Sequence, residues 1–119
     1  EKFVDEFSYN EIKENISNIL GDKDQYLTAI HPDIALSDSV IAASISEDLA
    51  DVYQAAKDFV ESAKIGDENL LNDALIVCIN DFKSYWGTRL LSAELAIHQI
   101  ITSTDDDTDE PIITSKPAL

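Results

Sequence analysis

Apolar side chains recur every three or four residues along most of the chain, and this spacing constrains the fold more than any other feature. A period near 3.6 residues places side chains on one face of an α-helix, whereas a half-buried strand alternates strictly. The widest stripe predicts a helix over residues 46–65, capped by Ser44 or Ser46 and closed at Gly66. Its apolar members are Leu49, Val52, Tyr53, Ala56, Phe59, Val60 and Ala63.

An earlier helix is predicted over residues 9–20. Ser8 opens a capping box, and Gly21 supplies the left-handed residue that commonly ends a helix. The periodicity is then lost until the widest stripe begins. A short turn is expected at residues 22–27 and a loop at residues 31–43, where Ser, Asp and short apolar residues mix around a proline.

A third helix is predicted to follow Asp67 and to keep one apolar phase through Gly87. A turn normally resets that phase, so one long helix bent at Gly87 is favoured over two helices that meet there. The short link Gly66-Asp67 makes the second and third helices antiparallel neighbours. The sequence therefore predicts an all-α fold, a small helical bundle built on a long antiparallel helix hairpin, as a single domain over residues 1–101.

The facing stripes of the second and third helices predict which side chains meet in this hairpin. Tyr53 and Phe59 are expected to pack against Phe82 and Trp86. The stripe of the third helix comprises Leu71, Leu75, Cys78, Phe82, Trp86, Leu90, Ala93, Ile97 and Ile100.

The helical pattern ends near Thr102, and residues 102–119 are interpreted as an acidic C-terminal tail. Residues 103–111 are expected to lack helix and strand, because a short charged segment buries too little apolar surface to offset its ordering entropy. Ile112 and Ile113 form the one apolar pair of this tail, and they are expected to be buried in an apolar groove.

Charge limits the classes of partner. The chain has 8 Lys and Arg against 24 Asp and Glu, a net charge of −16, and Arg89 is its only arginine. Nucleic-acid binding and attraction to anionic membranes both need basic clusters, which this sequence lacks. No apolar run approaches the roughly 20 residues that span a bilayer. A basic protein partner or self-association remains compatible with the sequence.

Catalytic, cofactor and metal motifs are missing from the sequence. It has no Gly-rich phosphate loop or nucleophile elbow, and its two histidines do not form a ligand set. The single cysteine, Cys78, lies on an apolar stripe without a base nearby, which is typical of a buried thiol. We therefore assign no catalytic residue, cofactor or metal. A lone cysteine and no apparent signal peptide favour a cytoplasmic location.

An aromatic group beside Gly87 is the densest feature of the chain. At helical spacing such a group is typical of a core. The functional alternative is a pocket or partner surface, in which an aromatic floor is flanked by a tyrosine and an arginine. The residues of this candidate surface are Tyr53, Tyr85, Trp86 and Arg89.

Several stretches, in their order and spacing, resemble the bacterial domain of unknown function 5063. They are residues 45–54, residues 72–75, residues 85–90 and residues 96–98, and residues 21–26 also fit. The resemblance covers roughly residues 9–101 and implies an all-helical bacterial protein. It also implies a further helical segment before the present start, in keeping with the absence of Met. It brings no activity, cofactor or site residue.

These features together favour a non-catalytic protein-interaction module. Two alternatives stay open at this point. One is a small-molecule binder or an enzyme that uses an aromatic pocket near Trp86, and the other is an acidic mimic of nucleic acid that occupies a basic groove.

Overall fold

The computed structural model describes residues 3–28 and 40–108, with side chains as far as residue 103. Its elements in chain order are helix α1 (Glu6–Leu20), a 3₁₀ turn (Gly21–Asp24), strands β1 (Gln25–Thr28) and β2 (Ile41–Ser44), helices α2 (Ile45–Lys64) and α3 (Glu68–Asp81), a π-helical turn (Phe82–Trp86) and helix α4 (Gly87–Thr108). Helix α2 contacts α1, α3 and α4. The predicted all-α class is therefore confirmed, with a small sheet added.

Helix α1 begins three residues before the predicted start. Its N-cap is Asp5, whose carboxylate accepts the backbone N–H of Ser8 at 2.7 Å. The N–H of Ser8 is therefore capped by Asp5, and the prediction that Ser8 is itself the N-cap was wrong. At the other end Gly21 has the positive φ of 61° that glycine adopts readily, but its ψ of −133° lies outside the left-handed helical region that was predicted.

Strands β1 and β2 form an antiparallel pair in which Gln25 faces Ser44 and Thr28 faces Ile41. The predicted turn at residues 22–27 is confirmed at its start by the 3₁₀ turn Gly21–Asp24, but its second half forms β1. The prediction of a loop over the residues of β2 was wrong. Each strand has four residues, too few for alternation to be distinguished from an irregular segment. The rest of the predicted loop, residues 31–39, lies outside the described residues.

The first turn of α2 has two caps. Ser44, one of the two predicted caps, accepts the N–H of Glu47 at 3.3 Å. The carboxylate of Asp24, which is buried, accepts the N–H of Ser46 at 2.7 Å and its hydroxyl at 2.6 Å. Two N–H groups without intrahelical partners are thereby bonded, and the buried negative charge lies at the positive end of the helix dipole.

The chain stays helical through Gly87, as the long-helix prediction required, but it passes through a π-helical turn. The N–H of Gly87 bonds to the carbonyl of Phe82, five residues earlier. The extra residue in this turn shifts the phase between α3 and α4. The core contains Ala93, a member of the predicted stripe, together with Ala96 and Ile45. No residue of α3 is buried.

The predicted packing of Tyr53 on Phe82 was wrong. Tyr53 is 39% exposed and Phe82 is 44% exposed. Helices α2 and α3 are nevertheless in contact. Asp67 caps α3 through bonds to the N–H groups of Asn69 and Leu70, and Gly66 has φ of 85°, both as the sequence predicted. The helix succession was therefore predictable, while the phase shift altered which side chains meet.

Helix α4 continues to Thr108, so the expectation that residues 103–108 lack helix was wrong. The hydroxyl of Thr102 donates to the carbonyls of His98 and Gln99, both at 3.2 Å. Thr102 is therefore part of the helix, although the apolar pattern ends at this residue. The predicted boundary between a domain ending at residue 101 and an acidic tail stays a prediction, and Ile112 and Ile113 lie outside the described residues. No helix in the described ranges is long and apolar enough to cross a membrane.

Candidate functional site

The four residues of the predicted surface occupy different places. Trp86 lines a groove between α2 and α3. Tyr85 and Arg89 belong to a polar network that joins α2 to the start of α4. Tyr53 is exposed and belongs to neither of these two features. The structure thus brings Tyr85 and Arg89 together, and it separates them from the groove that Trp86 lines.

The groove between α2 and α3, hereafter the acidic groove, encloses a cavity of about 210 Å³. Its floor is largely apolar. The floor includes Phe59, Leu70, Val77, Cys78 and Trp86. Three carboxylates, those of Asp58, Asp73 and Asp81, also line it, and among the described lining residues there is no Lys, Arg or His. The groove therefore combines aromatic and aliphatic surface with three carboxylates, one of which, Asp58, also accepts the backbone N–H of Phe3 at 2.7 Å.

Trp86 is held in one orientation at the end of the acidic groove. Its indole N–H donates to the carbonyl of Cys78 at 3.2 Å. The ring of Phe82 meets it edge-on, with centroids 4.9 Å apart and planes at 73°, a favoured aromatic geometry. Burial raises the pKa of the Cys78 thiol, so the sulfur stays protonated near neutral pH and is a poor nucleophile.

The polar network has two carboxylates of α2 at its centre, one helical turn apart. Asp48 is completely buried and accepts bonds from the hydroxyl of Tyr26 and from Nη1 of Arg89, the latter at 2.9 Å. Asp51 accepts the hydroxyls of Tyr9 at 2.6 Å and Tyr85 at 2.8 Å. These six side chains connect α1, β1, α2, the π-helical turn and α4.

The guanidinium of Arg89 lies 5.0 Å from the ring centroid of Tyr85, close enough for a cation–π contact. Its Nε is buried and has no hydrogen-bond partner within the described residues, since the nearest carboxylate oxygen, on Asp51, is 3.7 Å away. Burial acts to lower the pKa of Arg89, but the bond to Asp48 and nearby acidic groups outweigh it and raise the value. Arg89 is therefore a permanent cation.

Burial raises the pKa of Asp48 above its ordinary value, even though its bonds to Tyr26 and Arg89 oppose the shift. Burial, together with the bond to Asp48, raises the pKa of Tyr26 to about 12. The pKa of Tyr9 is raised further still, first by burial and then by its bond to Asp51. These tyrosines are neutral donors at physiological pH, so the network resembles a structural ion-pair cluster more than an acid–base pair.

Comparison with known proteins identifies the family of this chain. The model of the family described as Domain of unknown function (DUF5063) matches residues 1–103. The chain belongs to this family. The DUF5063 chain is also similar to a solved structure, the crystal structure of protein BF1032 from Bacteroides fragilis. The two share 32% identity and a TM-score of 0.70, over 95% of this chain and 60% of that one. No sequence among the curated proteins matches it.

Three of the five stretches on which the resemblance rested meet in the polar network of this DUF5063 domain. Residues 45–54 contribute Asp48 and Asp51, and residues 85–90 contribute Tyr85 and Arg89. Tyr26, from the short stretch 21–26, bonds to Asp48. The sequence motif therefore corresponds to the side chains that hold the helices and the sheet together.

Sequence reasoning missed most of this network. Tyr85 and Arg89 were named as candidates, whereas Asp48, Tyr9 and Tyr26 were assigned no role in a site. One signal was available, because Asp48 directly precedes Leu49, the first residue of the predicted apolar stripe. A carboxylate beside the buried face of a helix needs a partner, and Arg89 is the only arginine of the sequence.

A metal centre finds no support within the described parts of the DUF5063 chain. No group of three or more His, Cys, Asp or Glu side chains in these parts is arranged to hold an ion. The acidic groove and the polar network are therefore the two features from which function can be argued.

Proposed function

We propose that this domain is a non-catalytic protein-interaction module that binds a basic, amphipathic segment of a partner protein in the acidic groove. The main observation in support of this proposal is the composition of that groove. It has an apolar floor and three carboxylates, and no basic residue is among the described residues that line it. An apolar ligand face could cover Phe59 and Trp86, and basic side chains beside it would meet Asp58, Asp73 and Asp81.

The exposed surface of α3 supports a helix-sized ligand. Ile76 is 57% exposed and Val77 is 58% exposed, and no residue of this helix is buried. Apolar surface of this kind gains about 25 cal/mol for each Å² that a partner removes from water. A partner that bridges the acidic groove and α3 would therefore bury surface that the isolated domain leaves in solvent.

Charge favours a basic partner over a second copy of the chain. Two chains of net charge −16 repel one another, whereas a basic segment is attracted and its association is accelerated at low ionic strength. Catalysis is not favoured in the acidic groove, because the raised pKa of Cys78 is the opposite of what a thiol nucleophile needs.

The chain contains its own reporters for this proposal. Trp86 is the single tryptophan and Cys78 the single cysteine, and both line the acidic groove. A synthetic amphipathic helical peptide of leucine and lysine should shift the fluorescence of Trp86 and slow the reaction of Cys78 with a maleimide. A leucine–glutamate peptide of equal length should do neither. Binding of the basic peptide without protection of Cys78 would place its site elsewhere and refute the proposal.

We predict that the double variant Asp73→Asn/Asp81→Asn binds the leucine–lysine peptide about three- to tenfold more weakly at low salt, since each partly exposed ion pair is worth about 0.2–1 kcal/mol. The matched control is Glu11→Gln/Glu14→Gln, which removes the same charge from exposed positions on α1. Titrations monitored by Trp86 fluorescence compare the two. An equal loss of affinity in both variants would mean that the peptide responds to net charge alone.

A further inference from the structure

A second cavity lies beside the polar network, on the side of the sheet. It has a volume of about 130 Å³ and is enclosed by the two strands, the first turn of α2 and the start of α4. Ala42 and Ala43 provide its apolar wall. Its polar wall includes Glu47, Asp48, Arg89 and Ser92. Since a water molecule occupies about 30 Å³ of liquid, the cavity has room for only a small ligand.

Most polar groups of this wall already have partners. Asp48 uses both of its oxygens, one for Tyr26 and one for Arg89. The hydroxyls of Tyr26 and Ser92 lie 2.7 Å apart and bond to each other. The hydroxyl of Thr88, also in the wall, donates to the carbonyl of Tyr85 at 2.8 Å. These groups contribute polarity but little unused hydrogen-bonding capacity.

Two groups of opposite charge keep unused capacity. Arg89 has five N–H donors, of which one bonds to Asp48, while Tyr85 and Asp51 are further close neighbours of the guanidinium. The side chain of Arg89 lines the cavity and is 27% exposed, so donors of its guanidinium other than Nε are available to a ligand. The exposed carboxylate of Glu47 accepts no hydrogen bond from the described residues. The cavity thus presents one cation and one anion to whatever it contains.

We propose that this cavity binds a small zwitterion of the α-amino acid class, with its carboxylate on Arg89 and its ammonium group on Glu47. A simple anion would be repelled by Glu47, Asp48 and the neighbouring Asp51, and a simple cation would leave the donors of Arg89 unsatisfied. Guanidinium groups pair well with carboxylates because their planar donors match the two oxygens. The alanine wall and the small volume select a short side chain.

Isothermal titration calorimetry with the purified chain tests this assignment. The probes are glycine, L-alanine and L-serine, together with propionate and ethylamine, which each keep one charge of alanine. We expect at least one amino acid to bind at millimolar concentration and both single-charge analogues to bind at least about tenfold more weakly, since a charge-assisted hydrogen bond contributes about 1.5–3 kcal/mol. The assignment is overturned if no amino acid binds or if an analogue binds as well.

The variant Glu47→Gln separates recognition from folding, because this side chain is exposed and only the backbone N–H of Glu47 bonds to the cap, Ser44. It should weaken amino acid binding about tenfold, the loss expected for one charged hydrogen bond, and leave the weak binding of propionate unchanged. Glu11→Gln, equal in charge and remote on α1, should have no effect. Undiminished amino acid binding by Glu47→Gln, or equal losses for alanine and propionate, would overturn the role of Glu47. These experiments test only the cavity beside the polar network, and their failure would leave the proposal for the acidic groove unchanged.

Discussion

Replacing Asp48 by alanine is expected to lower the free energy of unfolding by about 3 kcal/mol. Removal of one partner of a buried ion pair typically costs about 3–5 kcal/mol because the other charge is left without compensation. The side chain of Asp48 is 1% exposed and that of Arg89 is 27% exposed, so some solvation of Arg89 keeps the loss at the lower end. The hydroxyl of Tyr26 loses its acceptor at the same time.

Urea denaturation followed by circular dichroism measures this effect, and Glu47→Ala is the matched control. Glu47 precedes Asp48 on the same turn of α2 but is exposed, so its removal should change the free energy of unfolding by about 0.5 kcal/mol or less. A loss below about 1 kcal/mol for Asp48→Ala would contradict the view that the polar network holds the elements together.

The loss should also depend on pH. Burial raises the pKa of Asp48 in the folded state, so the folded chain retains this proton after the unfolded chain, with an ordinary pKa of about 3.9, has released it. The contribution of this group is therefore complete below the unfolded pKa and decreases as the pH rises through the folded one. The difference in stability between the wild type and Asp48→Ala should accordingly shrink over that interval. A difference that grows with pH would show that folding lowers the pKa of Asp48 and does not raise it.

The helices could be predicted because each has its information in neighbouring residues. The observed α2, Ile45–Lys64, lies within one residue of the predicted range at both ends. Its apolar stripe, the cap at Ser44 and the closing Gly66 agree with one another. The start of α1 was misplaced because Asp5 and Ser8 are both good caps, and the choice between them depends on local geometry that a pattern does not contain.

Features that depend on distant residues could not be predicted in the same way. Strand β1 pairs with β2, and Asp48 bonds to Arg89, 41 positions away. Neither contact produces a periodic pattern in the sequence. The π-helical turn was also missed, although Gly87 was recognised as unusual. A glycine that interrupts a stripe without ending it is compatible with a bend or with a π-helical turn, and the sequence alone does not distinguish them.

The second large effect on stability is expected for the replacement of Gly87 by alanine. An alanine Cβ at this position would clash with the carbonyl oxygen of Phe82 and lie 3.0 Å from two atoms of its ring. That oxygen accepts the N–H of Gly87, so it cannot move away without loss of the hydrogen bond. Alanine is intrinsically about 1 kcal/mol better than glycine within a helix. We nevertheless expect Gly87→Ala to destabilise the fold by about 2 kcal/mol, because overpacking typically costs about 1–3 kcal/mol and this contact involves backbone.

Chemical denaturation should be combined here with the fluorescence of Trp86, because the π-helical turn positions groups on both sides of the molecule. Trp86 lines the acidic groove, while Tyr85 and Arg89, on either side of Gly87, bond to the carboxylates of α2. Relief of the clash would change the helical phase, so the variant should also show altered Trp86 emission. Lys83→Ala, an exposed change in the same turn, should leave both signals nearly unchanged. If Gly87→Ala were instead more stable than the wild type, helix propensity would outweigh the contact, and the π-helical turn could not depend on glycine.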